Sequence, residues 1–141
     1  MTARELMTLN PVMLTARATL ADAWRLMREH EVRHVPIVDG GVLIGILSDR
    51  DLAREDVARV LMAEGAAGLE RELRTPVVTV MAADPICVEP ETSASEILDL
   101  LIEAKVGALP VVEPDTRAVV GIVSYIDVLR MLQGAVATQN A

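Results

Sequence analysis

The sequence contains no phenylalanine, and Trp24 and Tyr125 are its only tryptophan and tyrosine. Hydrophobic residues nevertheless make up 52% of the 141 residues. The core is therefore predicted to be aliphatic, built from valine, leucine, isoleucine, alanine and methionine. A single cysteine, Cys87, cannot form a disulfide within the chain or supply a cysteine-based zinc site. We expect neither a disulfide framework nor a metal site.

Long apolar runs and basic runs are also missing. No stretch approaches the ~18 consecutive apolar residues of a membrane helix, and the N-terminus lacks the charged-then-apolar pattern of a signal peptide. Acidic residues outnumber basic ones by 21 to 13, and the basic ones are interspersed, whereas nucleic-acid binding depends on basic groups that contact phosphates. The sequence predicts a cytoplasmic protein that binds neither nucleic acid nor membrane.

Groups suited to nucleophilic catalysis are scarce. A serine or cysteine nucleophile needs a histidine base and an orienting acid, but the only histidines, His30 and His34, lie close together near the N-terminus. The sequence also lacks the glycine patterns of a P-loop or a dinucleotide-binding turn. We therefore do not expect this protein to be an enzyme.

The main positive feature is an internal duplication. The segment Met-Thr-Leu-Asn-Pro that begins at Met7 returns as Met-Ala-Ala-Asp-Pro at Met81, and two later segments match in the same order, 32–38 with 106–112 and 45–51 with 121–127. A repeat this long is not a solenoid, whose units run to about 20–50 residues. Each copy, of about 55–60 residues, is marginal for an independent core. We expect two copies packed into one globule.

Each copy follows a β-α-β-β-α pattern, which predicts an α+β fold. Its helix is amphipathic, and short apolar runs bounded by turn residues predict the strands. Beyond Thr75-Pro76, the proline favours extended backbone at residues 77–80. The predicted organisation is module 1 at residues 2–60, a connecting helix and linker at 61–76, module 2 at 77–134 and a flexible tail at 135–141.

A Ser-x-x-Asp motif follows the last strand of each copy, as Ser48 to Asp51 and Ser124 to Asp127. One interpretation is structural: serine caps the helix and the acid favours the helix dipole. The other is functional, because a helix N-terminus suits a phosphate and a carboxylate one turn later can accept hydrogen bonds from ribose hydroxyls. The motif alone leaves both interpretations open.

The ordered set of motifs, present twice, resembles a tandem cystathionine-β-synthase-type (CBS) domain pair of the stand-alone bacterial and archaeal type. The resemblance rests on Asn/Asp-Pro before the first strand, Val-x-x-x-Pro in the second and Gly-x-x-Ser-x-x-Asp after the third. It implies two modules related by pseudo-twofold symmetry, with three-stranded sheets flanked by helices and two clefts between the modules. It also implies AMP, ADP, ATP or S-adenosylmethionine as regulatory ligands rather than required cofactors, and a disc-like homodimer.

Roles for individual residues follow from that resemblance. Asp51 and Asp127 match the position that holds the ribose, while Ser48 and Ser124 match the hydroxyl on the phosphate side. Two interpretations of function remain. The first is a sensor that binds an adenosine-containing ligand and acts on an unknown protein partner in trans. The second is a ligand-free dimerisation scaffold.

Basic residues distinguish the two copies. Arg33 and His34 match the family's phosphate-neutralising position, and Arg50 offsets the charge of Asp49 beside it. The second copy has Gly107-Ala108 at the place of Arg33 and His34. The resemblance therefore implies two unequal sites. Three explanations are open: only one site is occupied, both sites share the Arg33-His34 pair, or the second copy binds a less charged ligand.

Overall fold

A computed structural model describes residues 1–54 and 57–139. Residues 55–56, within the predicted module 1, and 140–141, at the end of the predicted tail, lie outside the described residues. In chain order the elements are α1 (Ala3–Leu6), β1 (Thr8–Leu9), β2 (Leu14–Thr15), α2 (Leu20–His30), β3 (His34–Asp39), β4 (Val42–Ser48), α3 (Asp49–Arg54), α4 (Val57–Leu73), a 3-10 helix (Val77–Thr79), β5 (Ala82–Ala83), α5 (Ala94–Ala104), β6 (Ala108–Val112), β7 (Val119–Ser124) and α6 (Tyr125–Gln139).

The chain forms two compact units, and neither is one continuous copy of the repeat. The first-copy unit is Val12–Asp84, and the second-copy unit combines Met1–Pro11 with Pro85–Ala141. The first eleven residues thus fold with the second copy, and residues 74–84 fold with the first. The predicted α+β fold of two small modules is confirmed.

The sheet of the first-copy unit has the strand order β2-β3-β4-β5, with β2 parallel to β3 and the other pairs antiparallel. Gly40 and Gly41 connect β3 to β4 with φ of 57° and 81°, backbone angles that favour glycine. The expectation of three strands is wrong for this sheet. Residues 82–83 add a fourth strand because they pair with Gly45 and Ile46 at its free edge.

The sheet of the second-copy unit has three antiparallel strands, in the order β1-β7-β6. Its outer strand is supplied by residues 8–9, from the start of the chain, which pair with Ile122 and Gly121. The apolar segment before α5 contributes only an isolated bridge between Val88 and Val111. Strand number therefore matches the expectation here, but one strand comes from the other copy.

A methionine packs over a glycine in each sheet. A Cβ atom placed on Gly121 would lie 2.4 Å from Sδ and 3.0 Å from Cβ of Met7. One placed on Gly45 would lie 2.3 Å from Sδ of Met81 and 3.0 Å from the carbonyl oxygen of Ala82. Both distances to sulfur are shorter than atoms can approach, so glycine at these positions makes room for the exchanged strands.

Each unit has its own core, and both cores are aliphatic, as the composition predicted. No polar or charged side chain among the described residues is buried, so the core is closed by apolar contact alone. The core of the first-copy unit contains Ala18, Leu20, Ala23, Met27, Val35, Ile37, Leu47, Leu52 and Val77, and that of the second-copy unit contains Ala3, Val88, Ile97, Leu101, Leu109, Val111, Val123 and Val128.

Two local predictions differ from the structure. The segment after Pro76 is a 3-10 helix rather than extended chain, because the N–H groups of Thr79 and Val80 donate to the carbonyl oxygens of Pro76 and Val77. Residues 135–139, expected as part of a flexible tail, continue helix α6 to Gln139. The break predicted near Gly65 is present, with φ of 70° inside α4.

Candidate functional site

Ser48 and Asp51 cap each other at the point where β4 passes into α3. The Ser48 N–H donates to Oδ2 of Asp51 over 2.8 Å, and the Asp51 N–H donates to Oγ of Ser48 over 3.1 Å. Such a reciprocal capping box satisfies backbone donors that the helix leaves unpaired. The structural interpretation of this motif is therefore confirmed.

The second copy repeats this geometry closely. The Ser124 N–H donates to Oδ2 of Asp127 over 2.8 Å, and the Asp127 N–H donates to Oγ of Ser124 over 3.3 Å. Oγ of Ser124 also donates to the same Oδ2 over 3.1 Å. Hence one carboxylate oxygen of Asp127 is held by the cap, while Oδ1 accepts no hydrogen bond from the described part of the chain.

Pairing between β3 and β4 brings the start of β3 beside the Ser48–Asp51 box. His34 pairs with Ser48 between β3 and β4, and the Asp49 N–H donates to the carbonyl oxygen of Arg33 over 2.8 Å. Arg33, His34 and the Ser48–Asp51 box thus meet at one end of the first-copy sheet. Arg50 lies on the exposed first turn of α3.

The second copy has the same backbone arrangement without the cations. Ala108 pairs with Ser124, and the Tyr125 N–H donates to the carbonyl oxygen of Gly107 over 3.1 Å. Tyr125, with 42% of its surface exposed, stands where the first copy has Asp49. Sequence reasoning missed Tyr125 as a site neighbour, although the alignment of 45–51 with 121–127 places it there.

His34 is the titratable group whose environment is most clearly altered among the described residues. Burial is the main cause and lowers the pKa of its imidazole below 6.5, because a low-dielectric environment disfavours the charged form. The carboxylates of Asp49 and Asp51 oppose this change, and Arg33 and Arg50 add to it. His34 is therefore expected to be neutral at pH 7 in the absence of an anion.

The lowered pKa of His34 predicts a loss of stability in acid. The unfolded chain takes up this proton first as the pH falls, so the contribution is complete above 6.5 and is lost between 6.5 and the lower folded pKa. Urea unfolding of wild type and His34→Gln at pH 8 and pH 5 measures this. The wild type should lose more stability than the variant between the two values. A pH profile of His34→Gln identical to that of the wild type would contradict the assignment.

No group of three or more metal-ligating side chains is gathered anywhere in residues 1–54 and 57–139. Within the same ranges, no helix has the length and apolar character needed to cross a membrane. Cys87 is half-buried and has no disulfide partner.

The chain has two matching α+β units, and in each unit a Ser-x-x-Asp box follows the second strand of a hairpin. These features define a protein of tandem modules. Residues 3–58 and 74–134 match the model of the CBS domain, so the chain belongs to the CBS domain family. The resemblance inferred from the sequence motifs is confirmed by this match. Both matched ranges contain a Ser-x-x-Asp box.

Several similar proteins are CBS pairs of comparable length. The CBS domain-containing protein YhcV of Bacillus subtilis is 31% identical over 124 residues, which cover 88% of this chain and 80% of that protein. The crystal structure of the acetoin utilization protein AcuB of Vibrio cholerae has a TM-score of 0.83 and 31% identity, covering 100% of this chain and 98% of that one. The crystal structure of CBSX2 in complex with AMP has a TM-score of 0.77 and 26% identity, covering 95% and 97%.

Other curated relatives are much longer. The chain spans 37% and 24% of the length of two of them. The module thus occurs both in proteins of this size and as a part of larger ones, and activities of the larger proteins do not transfer with the module.

Proposed function

We propose that this protein is a regulatory module that binds an adenosine-containing ligand at the Ser-x-x-Asp box of each unit. The main support is that each box holds an aspartate carboxylate in the same way, by a hydrogen bond from the serine N–H at the end of a hairpin. The complex of CBSX2 with AMP supports this ligand class for a chain that is 26% identical over 95% of this one.

The carboxylates are proposed to hold the ribose. In the second-copy unit the cap fixes Oδ2 of Asp127 and leaves Oδ1, which has no partner in the described residues, to accept bonds from ribose hydroxyls. Asp51 occupies the matching position, with its Oδ2 also held by a backbone N–H. A carboxylate that is already oriented loses little conformational freedom when the ligand binds.

The phosphate is proposed to bind more tightly in the first-copy unit. Arg33, His34 and Arg50 lie around Ser48 there, whereas Gly107 and Ala108 take the places of the first two in the second-copy unit. Hydrogen bonds between cations and phosphate oxygens are stronger than neutral ones. We therefore propose AMP, ADP or ATP for the first-copy unit, and a ligand with less negative charge, such as S-adenosylmethionine, for the other.

The output is proposed to pass to a separate polypeptide, with the protein acting as a homodimer. CBS-pair proteins commonly dimerise, and a dimer gives a bound ligand an interface to alter. The absence of cations from the second-copy box favours a second candidate, a scaffold that binds no ligand. Titration with ligand separates the two candidates.

Isothermal titration with AMP, ATP and S-adenosylmethionine, paired with melting curves, tests the proposal. A ligand present at 100 times its Kd should stabilise the fold by about 2.7 kcal/mol. Asp51→Asn should weaken AMP binding in the first-copy unit and leave ligand binding in the second-copy unit unchanged. Asp127→Asn should weaken binding in the second-copy unit and leave AMP binding in the first-copy unit unchanged. Asparagine keeps the size of aspartate but removes the charge that a ribose hydroxyl pair meets.

A matched control is Asp115→Asn, which changes an exposed aspartate in a turn far from either box in sequence. It should bind every ligand as the wild type does. Failure of all three ligands to bind at millimolar concentration would favour the scaffold. Equal loss of AMP binding in Asp51→Asn and Asp115→Asn would show that the loss comes from the change in net charge, and would contradict a binding site at Asp51.

A further inference from the structure

Two methionines pack at the points where the exchanged strands begin. Met7 directly precedes β1 and packs against the second-copy core, and Met81 directly precedes β5 and packs against the first-copy core. Their side chains lie over Gly121 and Gly45, where a Cβ atom would overlap Sδ. We call Met7 and Met81 the anchor methionines, because each one packs in the unit that receives the strand behind it.

Within the exchanged strands themselves no side chain is buried. Each strand has only two residues, Thr8–Leu9 in β1 and Ala82–Ala83 in β5, and all four residues are exposed. The backbone therefore supplies the hydrogen bonds of each strand, and the anchor methionine in front of it supplies the apolar contact. Segments with few buried apolar contacts open at a low free-energy cost. The packing of one thioether thus has a large influence on whether each strand stays paired.

Both anchor methionines are accessible to small oxidants. Each is partly exposed, whereas Met27 in the first-copy core is only 7% exposed. A hydroperoxide transfers its terminal oxygen to a thioether. The sulfur loses two electrons and gains an S=O bond, while the O–O bond breaks and the peroxide leaves as water or an alcohol. The product, methionine sulfoxide, is polar and is reduced back by methionine sulfoxide reductases.

A sulfoxide oxygen does not fit where Sδ now lies. Sδ of each anchor methionine already packs on the glycine of the neighbouring strand, so an oxygen directed at the sheet would overlap that strand. No polar or charged side chain among the described residues is buried, so neither core offers a side-chain donor to the oxygen. Burial of a polar group without a hydrogen bond is unfavourable. The oxidised side chain is therefore expected to turn to water, which removes the apolar contact of the strand.

We propose that Met7 and Met81 are reversible oxidation sites, and that their conversion to the sulfoxide by a hydroperoxide releases β1 and β5 from the two sheets. The effect crosses between the copies of the repeat. Met7 belongs to the first copy, but its oxidation opens the sheet of the second-copy unit, and Met81 does the converse. The release does not depend on ligand binding.

The amide of Ile122 reports the release of β1. The Asn10 N–H donates to the carbonyl oxygen of Val120 over 3.1 Å. Hydrogen-bonded positions alternate along an antiparallel pair, so the amide of Ile122, two residues further on, also faces β1. The next amide, that of Val123, points the other way, towards Leu109 on β6. Val123 is therefore a reference in the same strand.

The amide of Ile46 reports the release of β5 for the same reason. The Asp84 N–H donates to the carbonyl oxygen of Ile44 over 3.1 Å, so the amide of Ile46 also faces β5. The amide of Leu47 points the other way, towards Val35 on β3. Leu47 is the reference in this strand.

Hydrogen exchange followed by NMR tests the proposal, with hydrogen peroxide as the oxidant. Peptide mass spectrometry measures the sulfoxide at each methionine. When both anchor methionines are oxidised, the exchange rate of Ile122 relative to Val123 should increase by about 10-fold or more, and that of Ile46 relative to Leu47 should do the same. Treatment with methionine sulfoxide reductases should restore both ratios.

Substitutions separate the two sites without an oxidant. Met7→Gln replaces the thioether with a polar, unbranched side chain, and should raise the relative exchange rate of Ile122 but not that of Ile46. Met81→Gln should raise the relative rate of Ile46 but not that of Ile122. Met62→Gln is the matched control, because Met62 is 89% exposed, and it should change neither rate.

A double variant that resists oxidation completes the test. Met7→Leu with Met81→Leu keeps apolar side chains of similar volume and cannot form a sulfoxide, so peroxide should leave its exchange ratios unchanged. Unchanged ratios in oxidised wild type would overturn the proposal, as would an equal effect of peroxide on the double leucine variant. If leucine packs poorly, the glutamine variants decide: no increase at Ile122 in Met7→Gln, or an increase there in Met81→Gln, would overturn it.

Discussion

Deletion of residues 1–11 is expected to unfold the second-copy unit while the first-copy unit stays folded. Ala3 is fully buried in the second-copy core, and β1 forms an edge of its sheet. The Ala3 N–H donates to the carbonyl oxygen of Thr92 over 2.8 Å, and the Ala94 N–H donates to that of Met1 over 2.8 Å. The deletion removes these contacts together with the packing of Met7. The sheet keeps only β7 and β6, and the second-copy core loses Ala3.

Amide hydrogen exchange with mass spectrometry measures this. Peptides from residues 108–128 should lose protection by about 100-fold or more, which corresponds to 1.4 kcal/mol for each factor of ten. Fluorescence of Trp24, which lies in the first-copy unit, should still report a cooperative transition. Uniform loss of protection across both units would contradict the division into units.

A point substitution tests the same role of the N-terminal segment in a chain of full length. Ala3→Asp places an unpaired carboxylate in the second-copy core and should destabilise the protein by about 3–5 kcal/mol. The matched control is Arg4→Ala at the next, exposed position. It removes only the surface ion pair with Glu91, which is worth about 0–1 kcal/mol.

Gly121→Ala is the second change with a large expected effect. The new methyl group would overlap Sδ of Met7 and press on its Cβ, 3.0 Å away, so the Met7 side chain must be displaced from its place over the sheet. Overpacking of this kind destabilises proteins by about 1–3 kcal/mol. Urea unfolding followed by circular dichroism gives the change in free energy.

A double-mutant cycle identifies the cause. Met7→Ala combined with Gly121→Ala should be less destabilising than the sum of the two single changes, with a coupling of about 0.5–3 kcal/mol. Gly134→Ala is the control, because its Cβ would meet nothing within 4 Å on helix α6. It should stabilise the protein by up to about 1 kcal/mol through helix propensity. Strict additivity of the first pair would show that Met7 does not cause the loss.

Local pattern was sufficient for most of the elements. The predicted strand at 108–112 is observed as β6, because a short apolar run bounded by Gly107 and a turn leaves little choice. The capping boxes at Ser48 and Ser124 were also visible, since capping depends on residues only three positions apart. Residues 77–80 were predicted wrongly because the restriction imposed by Pro76 acts on the residue before it and not on the turn that follows.

The candidate site was predictable in part for the same reason. Arg33 and His34 were assigned to the first-copy site by resemblance to the family, and the structure places them beside the Ser48–Asp51 box because β3 and β4 pair as a hairpin. The lowered pKa of His34 was not visible, since it depends on how much of the imidazole the surrounding residues bury. Nor was the exposure of Leu129 and Val136 on α6 visible, because apolar residues at helical spacing look alike in a core and on a surface.

The sequence by itself determined the duplicated module, the hairpin and the helices on either side of it in each copy, the aliphatic character of the core and the capped carboxylates Asp51 and Asp127. These depend on residue type and on short spacings along the chain. Only the tertiary structure decided that the segments beginning at Met7 and Met81 are exchanged between the copies. That pairing joins residues more than 30 positions apart. It is selected by a free strand edge and by the space above Gly45 and Gly121, neither of which exists until the sheets have formed.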